Sequence, residues 1–398
     1  MHSFISRGSS FRLFADDRAV PVPLACFYSE FLSITYQHYI RGQSNKLELQ
    51  DITENTFKPY LYKLGHFLHW VEIYSKDFEY LSLANHHNIP NELIQYYLND
   101  YLIVEKGLGE HSVRQHRDAL TSYFAYLEFY GFSKAVKLYI KPKFKYTARN
   151  NTKSRSAIKY ISHDLRHLFV RYAKSKRDAL LMRMGFECGL RTKENQGLVL
   201  NDFNVGSKTY KGMLSLFKDM ESNENKMEFS FRLQGLYSKG SRGKGGKSRD
   251  IFIHRSLLQA LRDYWIDQRP LSGSDHLFLN RQRGDAESEV ISHDRATEVF
   301  SSIRERILNE QSMGKLNSDW QMLEKEHTYH ALRHSYGTDK FYELSEEAGL
   351  LVDNVSPTSQ VYLSVAALLG HTVTGKNAAS ATKTYIRSCN IKKYLESL

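Results

Sequence analysis

Residues 186–194 read Phe-Glu-Cys-Gly-Leu-Arg-Thr-Lys-Glu and overlap the end of an apolar helical pattern that extends from Asp178 to Cys188. Gly189 ends this pattern, because glycine readily adopts the left-handed conformation with which many helices terminate. Arg191 therefore lies in a turn between two predicted helices, where its guanidinium can point into a groove. By itself the stretch is an ordinary interhelical turn, and its meaning depends on the motifs that follow.

A basic hairpin is predicted farther along the chain. Runs with strand character at 212–217, 227–231 and 249–253 predict a small antiparallel sheet. The glycine-rich stretch Lys244-Gly-Gly-Lys-Ser-Arg249 forms the tip before the last of these runs. Its glycines favour close approach to another backbone. A flexible surface loop without a ligand is the alternative interpretation.

The stretch Thr328-Tyr-His-Ala-Leu-Arg-His334 predicts the start of a helix, with Thr328 as its N-cap. A spacing of three places His330 and Arg333 on one helix face, so both can reach one phosphate. His330 and His334 also have the spacing of a zinc-binding pair. The sequence disfavours zinc because no Glu follows the first histidine and Arg333 would repel a cation.

A fourth patch, Leu369-Gly-His371, is followed by a tyrosine in the stretch Thr382-Lys-Thr-Tyr385. The protein contains 26 tyrosines, so one of them taken alone is typical of a core or surface aromatic. The significance of Tyr385 therefore rests on its order after the other patches.

The basic residues of the chain are concentrated in two segments. The protein has 398 residues, 41% of them apolar, and a net charge of +11. Lys134 to Arg177 holds fourteen basic residues and one acid, and Arg232 to Arg255 holds seven basic residues and one acid. Focused positive potential is typical of a polyanion-binding surface, because neutralising phosphates releases condensed counterions. We expect nucleic acid as the partner; a solvated basic face is the alternative.

The pattern predicts two domains joined by a basic linker. Residues 1–23 form an N-terminal extension, and apolar residues at helical spacing predict a helical domain over 24–133. Residues 134–157 contain proline, polar residues and like charges without a period, which predicts an exposed linker. The second domain, at 158–398, combines helices with the small antiparallel sheet. No stretch has the length and apolarity of a membrane span or a signal peptide, so we expect a cytoplasmic protein.

Together these patches resemble the tyrosine recombinases, also called phage integrases. The matches occur in the family's order: residues 186–194 with its G-L-R-x-x-E box, 243–249 with its G-K-G-x-K-x-R hairpin, 330–334 with its H-x-x-R-H string, 369–371 with its L-G-H, and Tyr385 with its late tyrosine. The resemblance covers nearly the whole chain. It implies a mainly α fold, with a helical core-binding domain that clamps DNA and a mixed α/β catalytic domain.

The sequence departs from compact members of that family at several places. The spacings from Arg333 to His371 and from His371 to Tyr385 are long, and Arg387 stands where the family often has histidine. The chain is also expanded near 204–235 and 343–360. These departures leave the subfamily and the DNA substrate undetermined.

The resemblance and the chemistry of DNA cleavage imply the same catalytic roles. Tyr385 would attack the scissile phosphorus and form a 3′-phosphotyrosyl link, which stores the bond energy so that rejoining needs no ATP. Arg191 and Arg333 would stabilise charge on the phosphoryl oxygens, since planar guanidinium forks match their geometry. His330 and His371 would hydrogen-bond the phosphate or assist proton removal from the tyrosine. No metal and no other cofactor is expected.

The remaining predicted residues act on DNA or support the catalytic groups. Lys244 would protonate the leaving 5′ oxygen. Glu194 and His334 would brace an arginine or a histidine. Basic residues of the linker and hairpin are expected to contact DNA: Lys141, Lys143, Lys145, Arg149, Arg155, Lys239, Arg242, Lys247 and Arg249.

The sequence therefore predicts a site-specific DNA recombinase that acts as a dimer to tetramer on double-stranded DNA sites, at the nucleoid of a bacterial-type cell. Accessory DNA-bending proteins or a partner recombinase are further expected partners. Two other functions stay open at this point, namely a DNA-relaxing enzyme similar to type IB topoisomerases and a non-catalytic DNA-binding regulator. The target sequence, and the choice among integration, excision, transposition and dimer resolution, are not specified.

Overall fold

The computed structural model divides the chain into two compact units, residues 1–155 and 156–398. The structure describes residues 2–5, 11–75, 81–153, 159–238, 246, 248–280, 288–351, 359–371, 389 and 392, of which 2–5 and 152–153 are described by their backbone alone. Each unit has a hydrophobic core of its own. No helix in the described ranges has the length and apolarity needed to cross a membrane.

The first unit is mainly helical and also carries two antiparallel hairpins, β1–β2 and β3–β4. Its elements are, in chain order, β1 (His2–Ile5), β2 (Arg12–Ala15), α1 (Pro23–Thr35), β3 (Gln37–Arg41), β4 (Leu47–Asp51), α2 (Glu54–Tyr74), a 3₁₀ turn (His86–Asn88), α3 (Asn91–Tyr96), a π-helix (Tyr97–Glu105), α4 (Glu110–Phe129) and α5 (Pro142–Lys153). Leu61, Leu64 and Leu68 of α2 are buried at helical spacing, which fixes the inner face of that helix.

The described part of the second unit contains two antiparallel pairs, β5–β6 and β7–β8, and helices pack against β7–β8. Its elements are α6 (His163–Arg171), α7 (Lys176–Glu187), a 3₁₀ helix (Thr192–Gly197), β5 (Phe203–Val205), β6 (Lys208–Tyr210), α8 (Met213–Ser222), β7 (Glu228–Leu233), a 3₁₀ turn (Gly235–Tyr237), β8 (Arg249–His254), α9 (Arg255–Asp267), α10 (Arg295–Ser312), α11 (Tyr329–Glu347) and α12 (Gln360–Leu368). Phe229, Phe231, Ile251 and Ile253 alternate inward along β7 and β8. The predicted fold class, mainly α with a small antiparallel sheet, is confirmed.

Close packing between α7 and α11 brings the predicted functional segments together. A Cβ atom at Gly185 would lie 3.1 Å from the side chain of Leu332, so the two helices approach closely at this glycine. The hydroxyl of Tyr329 donates to the Leu181 carbonyl at 3.0 Å and accepts from the Asn195 amide at 3.1 Å. The start of α11 is thereby fixed against the end of α7 and the 3₁₀ helix that follows it.

The strand predicted at 212–217 is a helix, and that prediction was wrong. Met213, Leu216, Phe217 and Met220 are all buried, and their spacing is that of one helix face. The short apolar run in the sequence fits a strand or a helix equally well. The helix forms because it also buries Met220, one turn farther along the chain, on the same face as Met213, Leu216 and Phe217.

The expectation of an aperiodic linker over 134–157 is corrected at Pro142–Lys153, which form α5. Phe144 and Ala148 are buried one turn apart on the core of the first unit. Proline is well tolerated at the start of a helix, where no main-chain N–H is needed. The buried amide of Asn99 also accepts from the main-chain N–H of Lys141 at 2.8 Å and donates to the Tyr139 carbonyl at 3.2 Å. Residues 139–153 of the basic stretch are therefore folded onto the first unit.

The segment expected to be an N-terminal extension, residues 1–23, contains the β1–β2 hairpin. Phe14 is fully buried in the core of the first unit, and its main-chain N–H donates to the Cys26 sulfur at 3.3 Å. The unit therefore includes residues before the predicted start at 24, and the β3–β4 hairpin interrupts the expected helical block.

Acidification should destabilise the first unit through two buried histidines. His86 contacts the Leu83 carbonyl and the Tyr123 hydroxyl, both at 2.6 Å. Burial lowers the pKa of His86 to about 4 and that of His116 to about 3. Histidine in the unfolded chain titrates near 6.5, so stability is full above that pH and falls as the pH decreases toward 4. For His86 alone the loss at pH 5 is about 2 kcal/mol.

Urea denaturation followed by circular dichroism, repeated at several pH values, measures this dependence. The His86→Gln variant should lose less stability between pH 7 and pH 5 than the wild type does. His111→Gln, at an exposed position of the same unit, is the control and should keep the wild-type dependence. An unchanged dependence in His86→Gln would contradict the assignment.

Candidate active site

The carboxylate of Glu194 lies at the centre of three arginine side chains. Its Oε1 is 2.7 Å from Nη1 of Arg191, and its Oε2 is 2.9 Å from Nη2 of Arg249 and 3.6 Å from Nη1 of Arg333. The main-chain N–H of Arg191 donates to Oε2 at 2.8 Å, and the Ser238 hydroxyl donates to Oε1 at 3.2 Å. Glu194 itself is fully buried, so its carboxylate holds the three guanidinium groups from the protein interior.

The charge of Glu194 is set by these neighbours. Burial by itself would raise the pKa of its carboxyl, but the charges of Arg249, Arg333 and Arg191 lower that pKa to about 2. The carboxylate is therefore ionised at neutral pH. Three guanidinium groups against one carboxylate leave an excess of positive charge, which suits a site for phosphate.

Arg333 is anchored by main-chain carbonyls. Its guanidinium donates to the carbonyl oxygens of Gly189 and Leu369, and the residue is fully buried. Gly189 has a φ of +63°, and a Cβ atom there would lie 2.5 Å from the ring of Tyr336. Glycine is therefore required at the end of α7. Of the two arginines predicted to hold phosphate, Arg191 reaches the surface, with 26% of its side chain exposed, and Arg333 does not.

His330 and His371 face the same two cations. Desolvation, followed by the charges of Arg333 and Arg191, lowers the pKa of each histidine to about 4. Both rings are therefore neutral at physiological pH, and each keeps one nitrogen that can accept a proton. Arg333 connects these groups: it lies three residues after His330 on α11 and donates to the Leu369 carbonyl, two residues before His371. Arg191 and Arg333 also share the carboxylate of Glu194.

His334 lies one turn after His330 on α11 and is buried. Their ring centroids are 4.8 Å apart in an edge-to-face arrangement. Burial, with the neighbouring His330 as the next cause, lowers the pKa of His334 to about 3. Within the described part of the chain, no group of three or more His, Cys, Asp and Glu side chains is arranged to hold a metal ion.

Arg249, which was expected to contact DNA, is buried beside Glu194. The residue is 6% exposed, and its guanidinium donates to the Leu368 carbonyl at 2.6 Å and the Gly189 carbonyl at 3.4 Å, besides its ion pair with Glu194. The sequence contained a signal for this burial, because Arg249 lies on the same face of β8 as the apolar Ile251.

Several predicted site residues lie outside the described residues. They are Tyr385 and Lys244 of the catalytic set, and Arg155, Lys239, Arg242 and Lys247 of the set expected to contact DNA. Their roles stay predictions.

The described residues of the first unit that are expected to contact DNA lie on α5 and immediately before it. Lys143 and Lys145 are exposed, while Lys141 is half-buried. Arg149 is exposed but pairs with Glu110 at 3.3 Å, so part of its charge is already neutralised. The two exposed lysines are therefore the basic side chains here that most readily meet an anion.

Two residues near the site were not singled out from the sequence. The Ser238 hydroxyl bonds the central carboxylate, and the charge of Lys159 contributes to the low pKa of His330 and His334. Lys159 was counted in the basic stretch but could not be distinguished from its neighbours, because charge counts carry no positional information.

Comparison with known proteins identifies one family. Residues 163–343 match the phage integrase family, and this segment contains Arg191, Glu194, His330 and Arg333 but ends before His371. No curated protein sequence matches the chain significantly.

Among solved structures the chain is similar to three recombinases. They are a Tn1549 transposon integrase in complex with circular intermediate DNA (15% identity, 91% of this chain and 94% of that chain, TM-score 0.46), the XerA recombinase (16%, 87% and 93%, TM-score 0.36) and a lambda integrase dimer bound to a core site (15%, 83% and 89%, TM-score 0.44).

Removing the central carboxylate should strongly destabilise the second unit. Glu194→Gln leaves the guanidinium groups of Arg249 and Arg333 buried without a counter-charge, and breaking a buried ion pair in this way costs about 3–5 kcal/mol. The wild-type contribution is present above pH 4.5 and is lost as the pH falls toward 2, since the folded pKa is the lower one. The substitution should remove that dependence, which urea denaturation at several pH values measures.

Glu187→Gln is the matched control. Glu187 pairs with Arg183 on the surface of α7, with about a quarter of its side chain exposed. Exposed pairs contribute about 0–1 kcal/mol, so this variant should unfold close to the wild type. Equal losses in the two variants would show that the Glu194 cluster has no special energetic role.

Proposed function

We propose that this chain is a tyrosine recombinase of the phage integrase family, which its residues 163–343 match, and that it cleaves and rejoins DNA through a covalent bond to Tyr385. The chain is accordingly a site-specific DNA recombinase of the integrase type. The family match does not favour the two other functions, a topoisomerase-like enzyme and a non-catalytic regulator. The attack would transfer the DNA 3′ phosphate to the tyrosine oxygen and release a 5′ hydroxyl, and the reverse attack would reseal a strand.

The observation that supports this mechanism is the convergence of two guanidinium groups and two neutral imidazoles on one site. Arg191 is exposed enough to meet a phosphate directly. Arg333 is held by two carbonyls, so DNA binding must uncover it before its fork meets the phosphoryl oxygens. Guanidinium groups suit this task because they stay charged and bind two oxygens at once.

The proton transfers are assigned to the remaining groups. A histidine with a pKa near 4 is neutral at physiological pH, so His330 or His371 can accept the proton of the Tyr385 hydroxyl. Lys244 would supply a proton to the leaving 5′ oxygen. The charge of the phosphate is neutralised by arginines, and no step requires a metal ion.

Recombination requires coordinated cleavage of two duplexes, so we propose a dimer to tetramer assembled on DNA sites. Accessory DNA-bending proteins or a partner recombinase would select the sites. The enzyme would act where its DNA is, in the cytoplasm at the nucleoid of a bacterial-type cell. Basic residues of α5, foremost Lys143 and Lys145, would contact the DNA backbone without reading its sequence.

Covalent adduct formation tests the catalytic assignment. The probe is a duplex selected for binding from a random-sequence library with the Tyr385→Phe variant, prepared with nicks at successive positions so that cleavage is trapped. Wild-type protein should give a protease-sensitive adduct that survives SDS, and Tyr385→Phe should give none. EDTA should leave the yield unchanged. An adduct formed by Tyr385→Phe would identify another nucleophile, with Tyr394 the nearest candidate, since Tyr362 is buried in α12.

Salt dependence tests the role of the basic stretch. Replacing Lys141, Lys143 and Lys145 together with Gln should make the binding constant less dependent on salt. The magnitude of the negative slope of log K against log salt should decrease by up to about 3, because each phosphate contact contributes about one unit. Preference among DNA sequences should hardly change. Fluorescence anisotropy with duplexes of two sequences, at several salt concentrations, measures both quantities.

The matched control replaces three lysines of the same unit that lie outside the basic stretch, Lys46, Lys58 and Lys106. These lysines are exposed. Because each variant replaces three lysines with glutamine, the control and the test variant have the same net charge. A smaller change of slope in the control is expected. Equal slopes in the two variants would mean that the basic stretch makes no special contact with DNA.

A further inference from the structure

Arg249 and Arg333 make the same kinds of contact although they come from different elements. Both donate to the Gly189 carbonyl, and both have an Nη atom near Oε2 of Glu194, at 2.9 Å for Arg249 and 3.6 Å for Arg333. Each also donates to a carbonyl at the C-terminal end of α12. Arg249 is thus a buried counterpart of Arg333, located on β8 and not on α11.

The carbonyls at the end of α12 have no partner within the helix and carry its negative dipole, so cationic donors stabilise them. Arg249 donates to the Leu368 carbonyl at 2.6 Å. The turn that follows has φ +61° at Gly370, where a Cβ atom would lie 2.6 Å from Cδ of Arg249. The next residue is His371, whose main-chain N–H donates to the Ala366 carbonyl at 2.8 Å. Arg249 therefore supports the turn that presents His371.

We propose that Arg249 is a positioning residue, which holds Glu194, the end of α7 and the turn before His371 in place while Arg333 is released to bind DNA phosphate. Arg333 is fully buried, so its guanidinium must be uncovered before phosphoryl oxygens can reach it. Arg249 is buried and keeps its bonds, so the frame of the site persists. The inference rests on the proposed function, because it takes Arg333 and His371 as catalytic residues.

Lysine cannot replace this arginine. The Arg249 guanidinium uses Nη1 for the α12 carbonyl and Nη2 for Glu194 and Gly189, so its contacts spread across a planar fork. An ammonium group is a single point and cannot span these acceptors. Arg249→Lys therefore keeps the positive charge and removes the geometry.

The experiment compares adduct formation with DNA binding. With the selected nicked duplex under single-turnover conditions, Arg249→Lys should form adduct more slowly by on the order of tenfold or more. Its dissociation constant for the intact duplex should equal that of the wild type. Arg177→Lys is the matched control, since the buried Arg177 likewise donates to a carboxylate, Asp178 at 2.9 Å, and to a carbonyl, Leu279 at 2.7 Å. The control should cleave at the wild-type rate.

A double-mutant cycle separates positioning from general destabilisation. If Arg249 acts through His371, then Arg249→Lys should add little to the defect of His371→Ala, whereas unrelated defects would multiply. A wild-type rate for Arg249→Lys, a loss equal to that of Arg177→Lys, or a full additional loss in the His371→Ala background would each overturn the proposal. Failure of wild-type protein to form any adduct would instead refute the proposed function.

Gly370→Ala perturbs the contact between Arg249 and the turn at Gly370 by changing the turn and not the arginine. This variant replaces Arg249→Lys in the experiment if Arg249→Lys does not fold. The added methyl must displace either the arginine or the turn, and φ +61° disfavours alanine. Adduct formation should again slow without a change in DNA affinity. An unaltered rate in this variant would contradict the proposed role of Arg249.

Discussion

The buried carboxylate of Glu194 is the interaction on which the arrangement of the site depends. Three guanidinium groups within 3.6 Å of its oxygens would repel one another strongly without it, and a buried carboxylate alone would be protonated. Each charge is therefore tolerable only because the others are present. The Ser238 hydroxyl and the main-chain N–H of Arg191 occupy further lone pairs of the carboxylate, so its orientation is fixed from several directions.

Around this carboxylate, the site is assembled from the ends of helices. Gly189 after α7 and the last residues of α12 turn their carbonyls inward, and the guanidinium groups of Arg249 and Arg333 satisfy them. Helix ends are where main-chain groups lack intrahelical partners, so they are natural binding positions for charged side chains. The same bonds that stabilise the unit also bury Arg333, which links access to this residue with the position of α12.

The electrostatics of the site favour phosphate and neutral imidazole together. Desolvation, together with the positive charge of the arginines, lowers the pKa of His330 and His371, so both rings are neutral at physiological pH. A bound phosphate would offset that charge and thereby raise the affinity of the rings for a proton. In the proposed mechanism, phosphate binding and proton transfer are therefore coupled through the same arginines.

The order and spacing of the motifs, the strands on either side of the basic hairpin, and the helix with Thr328 as its N-cap all follow from the sequence alone. These are local properties, which periodicity and capping residues express directly. Tertiary structure decided the helix at 213–222, the folding of 142–153 onto the first unit, and the burial of Arg249 and Arg333. The burial of an arginine depends on its counter-charge, and Glu194 lies 55 positions before Arg249 along the chain. Such a partner is brought close only by folding. The alternation with Ile251 indicates that Arg249 faces inward, but it does not identify Glu194 as the counter-charge.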